Sequence, residues 1–164
     1  MNAERETACS FTGHRELPVE RVEHLRDALR SIIERLYTER HITTYYAGGA
    51  QGFDALASEA VIECRFVLPD LRLVVVVPHD EQAKRWSADE QARYEHIKSE
   101  ANEVISLAPH YFRGCMQRRN RYMVDHSAVC VCYLTEPSGG TAYTVNYASK
   151  CGLIVFNLAE AAEA

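Results

Sequence analysis

The sequence predicts one three-layer α/β domain with a mainly parallel sheet. Two observations carry that expectation. Short apolar runs alternate with stretches of helical periodicity along the whole chain. Two of those runs, Leu73 to Val77 and Ala128 to Leu134, are apolar throughout and read as strands buried on both faces. The chain has 164 residues, 47% of them hydrophobic, which suits one domain over 1–164 with a core spanning about 8–156. No linker-like stretch divides it, and no internal repeat is visible.

The elements follow in order. Ala8 to Thr12 reads as a first strand, ending at Gly13-His14-Arg15. Pro18 opens a helix in which Val22, Leu25, Leu29, Ile32, Ile33 and Leu36 recur at helical spacing. Thr43 to Ala47 is a second strand, stopping at Gly48-Gly49-Ala50-Gln51-Gly52. Asp54 to Phe66 is helical, and Pro69-Asp70 breaks it. Leu73 to Val77 is the third strand. The polar stretch from Pro78 to Glu100 is least regular, with a helix over Asp89 to Glu100. Val104 to Leu107 is a short strand, Arg118 to Asp125 a basic helix, and Ala128 to Leu134 a buried strand. Ala142 to Lys150 is helical, Gly152 to Phe156 a last strand, and Ala159 to Ala164 a frayed tail.

Charge and cysteine usage narrow the setting. The formal net charge is -5, so the chain has no global attraction to nucleic acid, and a nucleic-acid partner is not expected. No stretch approaches about 18 uncharged apolar residues, the length of a membrane span. Met1 to Glu6 lacks the basic and apolar regions of a secretory signal, so a cytoplasmic location is expected. The six cysteines read as free, buried thiols in a chain long enough to fold without staples. No metal and no cofactor are expected: His79-Asp80 and Asp125-His126 are adjacent pairs, and Cys130 and Cys132 sit inside an apolar strand.

Open parallel sheets bind ligands beyond the carboxyl ends of their strands. Three loops there share one character. They are Thr12-Gly13-His14-Arg15, the run from Gly48 through Gly49 and Gly52 to Asp54, and Ser138-Gly139-Gly140-Thr141. Glycines allow close backbone approach, and helix starts leave N–H groups free for an anion. Phosphate would use the N–H groups of Gly13, Gly49 and Gly140, with the Thr12 and Thr141 hydroxyls assisting. The competing reading is tight turns that need glycine sterically. Arg118-Arg119-Asn120-Arg121 is the only dense basic run, and Arg118 and Arg121 share a helical face with Asp125. A phosphate fork and a solvated helix with an internal ion pair are both open. Trp86, Tyr94 and Tyr111 are candidates to stack on a base or ribose, or to pack.

These residues carry a resemblance. Phe11-Thr12-Gly13-His14-Arg15 with Leu17-Pro18, Gly48 to Asp54, Gln82, Trp86, Asp89, Arg93-Tyr94 and the run Gly114 to Ser127 stand in characteristic order. Gly139-Gly140-Thr141 with Thr144 to Ala148 completes the set. The chain resembles the YpsA-like proteins of the SLOG superfamily, which also holds the DprA-like proteins and the lonely-guy phosphoribohydrolases. The resemblance implies a Rossmann-like fold and a nucleotide or nucleotide-derivative ligand. The reading it supports is a cytosolic sensor or adaptor that binds a small phosphate-bearing ligand and self-associates as a homo-oligomer. An alternative is an N-glycoside hydrolase acting on a nucleoside monophosphate. There Asn146 stands where the phosphoribohydrolases carry a catalytic glutamate, and a neutral amide cannot act as general base. Asp54 or Asp125 would then have to supply the carboxylate. A second alternative is a DprA-like, DNA-associated protein.

Overall fold

The computed structural model describes residues 3–161. A short helix α1 (Ala3–Glu6) precedes β1 (Ala8–Gly13), α2 (Val22–Arg40), β2 (Thr44–Ala47), α3 (Phe53–Cys64) and β3 (Arg72–Val77). Then come α4 (Ala88–Glu100), β4 (Glu103–Ser106), α5 (Cys115–Asp125), β5 (Val129–Tyr133), α6 (Gly140–Lys150), β6 (Ile154–Asn157) and α7 (Leu158–Ala161). The six strands form one sheet in the order β4-β3-β2-β1-β5-β6, and every pairing is parallel. This is a Rossmann-like three-layer α/β fold.

The apolar runs are explained by what lies on either side of the sheet. Strand side chains alternate between faces. Phe11, Tyr45, Leu73, Val75, Val77, Val129, Val131 and Tyr133 pack with α2, α3, α4 and α7 in one core. Their neighbours Val74, Val76, Cys130 and Cys132 pack on the other face against Met123 and Val124 of α5 and Ala148 of α6. Burying these side chains on both faces is the main drive for the sheet, at roughly 2 kcal/mol each.

Boundaries differ from expectation where local chemistry intervenes. Pro18 leads into a 3-10 turn, Val19–Arg21, so α2 starts at Val22. It ends at His41, whose φ of 58° turns the chain out of the helix. Helix α5 begins three residues before Arg118, after Gly114 with φ 90°. The start of the expected frayed tail is ordered instead. Leu158 and Ala159 are buried, and Asn157 Oδ1 accepts a bond from the Ala159 N–H at 3.1 Å. Residues 162–164 of that tail lie outside the described residues.

The six cysteines carry free thiols. Burial pushes Cys64 up to about 11 and Cys132 up to about 12, so neither is a nucleophile at neutral pH. No helix among the described residues is long and apolar enough to cross a membrane.

The chain runs outward from β1 through β2 and β3 to β4, then crosses back to lay β5 on the other side of β1. The connections after β1 and β5 therefore diverge, opening a crevice at the carboxyl ends of these two strands.

Candidate switch-point site

The three glycine-bearing loops meet at this crevice but are built differently. The loop after β2 is closed. Gly48 donates its N–H to Asp54 Oδ2 at 3.2 Å, and its carbonyl accepts from both Arg119 Nη1 and Gln82 Nε2. Gln82 Nε2 also bonds the Gly49 carbonyl at 3.3 Å, while its Oε1 takes Arg119 Nη1 at 3.3 Å. Gly48 thus lies between a buried guanidinium and a buried carboxylate. A Cβ there would come within 2.6 Å of Arg119 and 2.8 Å of Asp54. The loop is also locked to the one after β1. His14 O accepts from Phe53 N–H at 3.1 Å, and Gly52, at φ 75°, lies against the Arg15 carbonyl with no room for a side chain.

Electrostatics here are set by burial. Loss of water raises Asp54 from the ordinary 3.8 to about 6, although Arg119 and the N–H groups of Ala50 and Gly48 pull the other way. The same burial lowers Arg119, with Asp54 opposing. Desolvation outweighs the mutual attraction in both groups.

The loop after β5 is open. Thr135 to Gly140 are all exposed. Helix α6 starts behind Gly139 with no side-chain cap, leaving first-turn N–H groups unmet. Gly139 has φ 105°, so its glycine is a backbone requirement. Gly140 is different. Its φ lies outside the left-handed region, and a Cβ there would meet nothing within 4 Å. The fold itself places no demand for glycine at 140.

A continuous set of hydrogen bonds joins the closed loop to the open one. Arg119 Nε donates to Asn120 Oδ1 at 2.8 Å. Asn120 Nδ2 donates to Thr144 Oγ1 at 2.9 Å, and the Thr144 hydroxyl donates to the Gly140 carbonyl at 3.0 Å. On the other wall, the Thr135 N–H donates to His14 Nε2 at 2.9 Å. The loop after β5 is therefore held at its two ends, at Thr135 by His14 and at Gly140 by Thr144.

The anticipated site residues divide accordingly. Thr12 and Gly13 end β1, with Thr12 buried; a Cβ at Gly13 would strike the Phe53 ring. Arg15 is exposed, and its guanidinium has no hydrogen-bonded or ion-paired partner among the described residues. Arg121 Nη1 bonds the Tyr143 hydroxyl at 3.1 Å beside the start of α6. Arg118 is exposed over the Phe112 ring. Thr141 lies half-buried in the first turn of α6. Trp86 packs edge-on against Tyr94 at 5.2 Å, partly buried against the core. Asn146 is exposed midway along α6. Asp125 ends α5, about 15 Å along the helix from its start at the sheet's carboxyl edge. There it accepts from the Tyr147 hydroxyl at 2.7 Å. Asp54 and Asp125 are not brought together. A cavity of about 480 Å³ opens at the opposite end of the sheet, between Arg5, Arg40 and Gly152, away from the helix starts that would attract an anion.

A family model described as the YspA SLOG family matches residues 11–153. The chain belongs to the YspA SLOG family. That match takes in all three loops, and the family carries nucleotide-related chemistry in general terms. Among curated relatives, the chain is 33% identical over 138 residues to an uncharacterized SPbeta prophage-derived protein, YoqJ, of Bacillus subtilis (strain 168), covering 77% of this chain and 81% of that protein. It is 31% identical over 136 residues to a UPF0398 protein of Bacillus thuringiensis (strain Al Hakam), covering 81% and 73%. Among solved structures, DNA processing protein A of Helicobacter pylori aligns with a TM-score of 0.66 at 18% identity, covering 93% of this chain and 65% of that one. The Streptococcus pneumoniae counterpart aligns with a TM-score of 0.65 at 14% identity, covering 92% and 49%. This SLOG chain therefore spans less than two thirds of those structures.

One expectation is corrected by these findings. Net charge argued against a nucleic-acid partner, yet the Helicobacter structure was solved for a single-stranded DNA binding mode on this same fold. Overall charge is the wrong measure, because a fold of this kind presents a local surface and not its average.

The residue that sequence reasoning undervalued in this SLOG chain is Arg119. The sequence places it in a dense basic run in which Arg118 and Arg121 are the candidate fork or part of a solvated helix. Arg119 is 5% exposed and organises the crevice floor. The signal was present: Cys115, Arg119 and Met123 recur every four residues, so Arg119 sits on the buried stripe of α5.

Proposed function

We propose that the chain binds a nucleotide unit through its phosphate at the crevice between β1 and β5, with the first turn of α6 as the phosphate seat. Gly140 carries the reading. The fold needs no glycine there, whereas an anion approaching the uncapped N–H groups does. Arg15 and Arg121, one from each wall, supply charge from positions that leave them able to reach a ligand. A sensing or adaptor role in the cytoplasm follows as part of this proposal.

A second reading has its own support. The fold shared with DNA processing protein A favours a phosphate that belongs to a single-stranded oligonucleotide. Cleavage of an N-glycosidic bond would rest on Asp54. Its carboxyl, raised to about 6, is suited to proton transfer, but it is occupied by the Gly48 N–H under a closed loop.

Titration of the purified protein with nucleoside mono- and diphosphates and with oligothymidylate at low salt tests these readings. Saturable binding of a mononucleotide, competed by inorganic phosphate, is the expected result. Binding of the oligonucleotide alone moves the assignment to the second reading. No binding of either at millimolar ligand overturns both. Base release from a monophosphate, lost in Asp54→Asn, would make the protein a hydrolase.

A further inference from the structure

The segment joining β4 to α5 has no task in the phosphate seat, yet it is the most unusual surface at this end of the molecule. It carries Tyr111, 65% exposed, and Phe112, 40% exposed, side by side. A single exposed apolar side chain is ordinary, whereas adjacent exposed rings form a patch. These are held out. The base of the segment is pinned to the stretch after β3: Leu107 N–H donates to the Val77 carbonyl, Asp80 N–H to the Ala108 carbonyl, and Ser106 Oγ to Asp80. His110 is paired with Glu81 at 2.9 Å. Tyr111 meets the His79 ring edge-on at 5.8 Å, and the Arg118 guanidinium lies 5.8 Å from the Phe112 ring centre. Arg113, next in sequence, is exposed with no hydrogen-bonded or ion-paired partner among the described residues.

We infer that Tyr111 and Phe112 form a stacking platform for the unpaired bases of a single-stranded nucleic acid, with Arg113 and Arg118 attending its backbone. The inference rests on the second reading above, a phosphate that belongs to a single-stranded oligonucleotide, and names the residues that would hold the strand's bases. Two features point to that occupant. Aromatic faces beside unneutralised arginines match the two components of a nucleic acid strand, flat bases and a phosphate backbone. The distances fit as well. The His79 contact sets Tyr111 over the end of β3, and β3 lies three strand positions from β5. At about 4.8 Å per strand this is ~14 Å from platform to phosphate seat. A stacked strand rising ~3.4 Å per nucleotide covers that in about four nucleotides.

The test uses fluorescence anisotropy with the full chain and a labelled oligothymidylate of about twelve nucleotides at low salt, beside an abasic strand of equal length. Wild type binds the oligothymidylate about tenfold or more tightly than the abasic strand, and the double variant Tyr111→Ala, Phe112→Ala erases that difference. Tyr111→Phe keeps it, because stacking needs the ring and not the hydroxyl. Thermal melting of each variant establishes that it is folded. Equal binding of both strands by wild type overturns the platform while leaving the phosphate seat in place. Failure to bind either strand or any mononucleotide overturns the phosphate reading and the platform with it. A double variant that alters the oligomeric state but keeps the preference for bases shows the rings to be a protein contact and overturns the inference.

Discussion

The loops after β2 and β5 have similar glycine content and opposite construction. In the first, Gly48 and Gly52 make room for the protein's own groups: a guanidinium, a carboxylate and a neighbouring carbonyl. In the second, Gly140 makes room for nothing the chain supplies. One loop is a packed core that happens to lie at a sheet end. The other is an open, solvent-exposed turn. Glycine in a turn therefore means different things according to what a Cβ would meet, and composition alone does not separate the cases.

The contrast can be broken most severely at Arg119. Arg119→Met leaves Asp54 buried without its opposing charge and is expected to cost about 3–5 kcal/mol in urea unfolding. Retention of wild-type stability would mean that the closed loop is not held by this pair. Next comes Gly48→Ala, which drives a methyl group between the two charges. Overpacking of this kind costs about 1–3 kcal/mol, read as a fall in the denaturant midpoint at unchanged slope.

The third prediction concerns pH. Because Asp54 titrates near 6 in the folded chain and near 3.8 when unfolded, the folded state holds the extra proton between those values. Stability from this group is full below about pH 4 and falls as pH rises through 6, by about 3 kcal/mol in total. Asp54→Asn should flatten that part of the stability–pH curve; an unchanged curve would show that Asp54 is not the group titrating. The smallest effect on folding, and the sharpest on function, is expected at Gly140. Gly140→Ala should leave stability within about 1 kcal/mol of wild type, or raise it, because alanine suits a helix. Phosphate affinity measured by calorimetry should nonetheless fall about tenfold, as the methyl group obstructs the seat. Equal loss of stability at positions 48 and 140 would erase the distinction between the loops.

Much of the fold was legible in the sequence, because burial on both faces writes itself as uninterrupted apolar runs such as Leu73 to Val77. The strand order β4-β3-β2-β1-β5-β6 was not, because parallel pairing with helical crossovers allows more than one order. The start of α5 was less visible, since Cys115, Met116 and Gln117 carry no capping side chain and the turn depends on Gly114. At the site, the loops were legible as loops, but not which was packed. That depends on Arg119 reaching Gly48 across a separation of 71 residues. A charged residue on an apolar helical stripe was the available clue. The aromatic pair was only half legible: Tyr111 could be named from the sequence, Phe112 was missed, and the exposure of both rings depends on bonds between their segment and the stretch after β3.

The bond from Arg119 to the Gly48 carbonyl also has a bearing on how the molecule assembles. Strands β1 to β3 and helices α2 and α3 contribute to one core face, whereas the guanidinium that meets Asp54 comes from α5, later in the chain. Until α5 docks, Asp54 is being covered without its counter-charge. Joining such distant parts of the chain also carries a loop-closure entropy cost. The crevice floor therefore exists only in a chain whose two halves have met. Arg119 thereby ties the closed floor and, through Asn120 and Thr144, the start of α6 to a single event, the docking of α5.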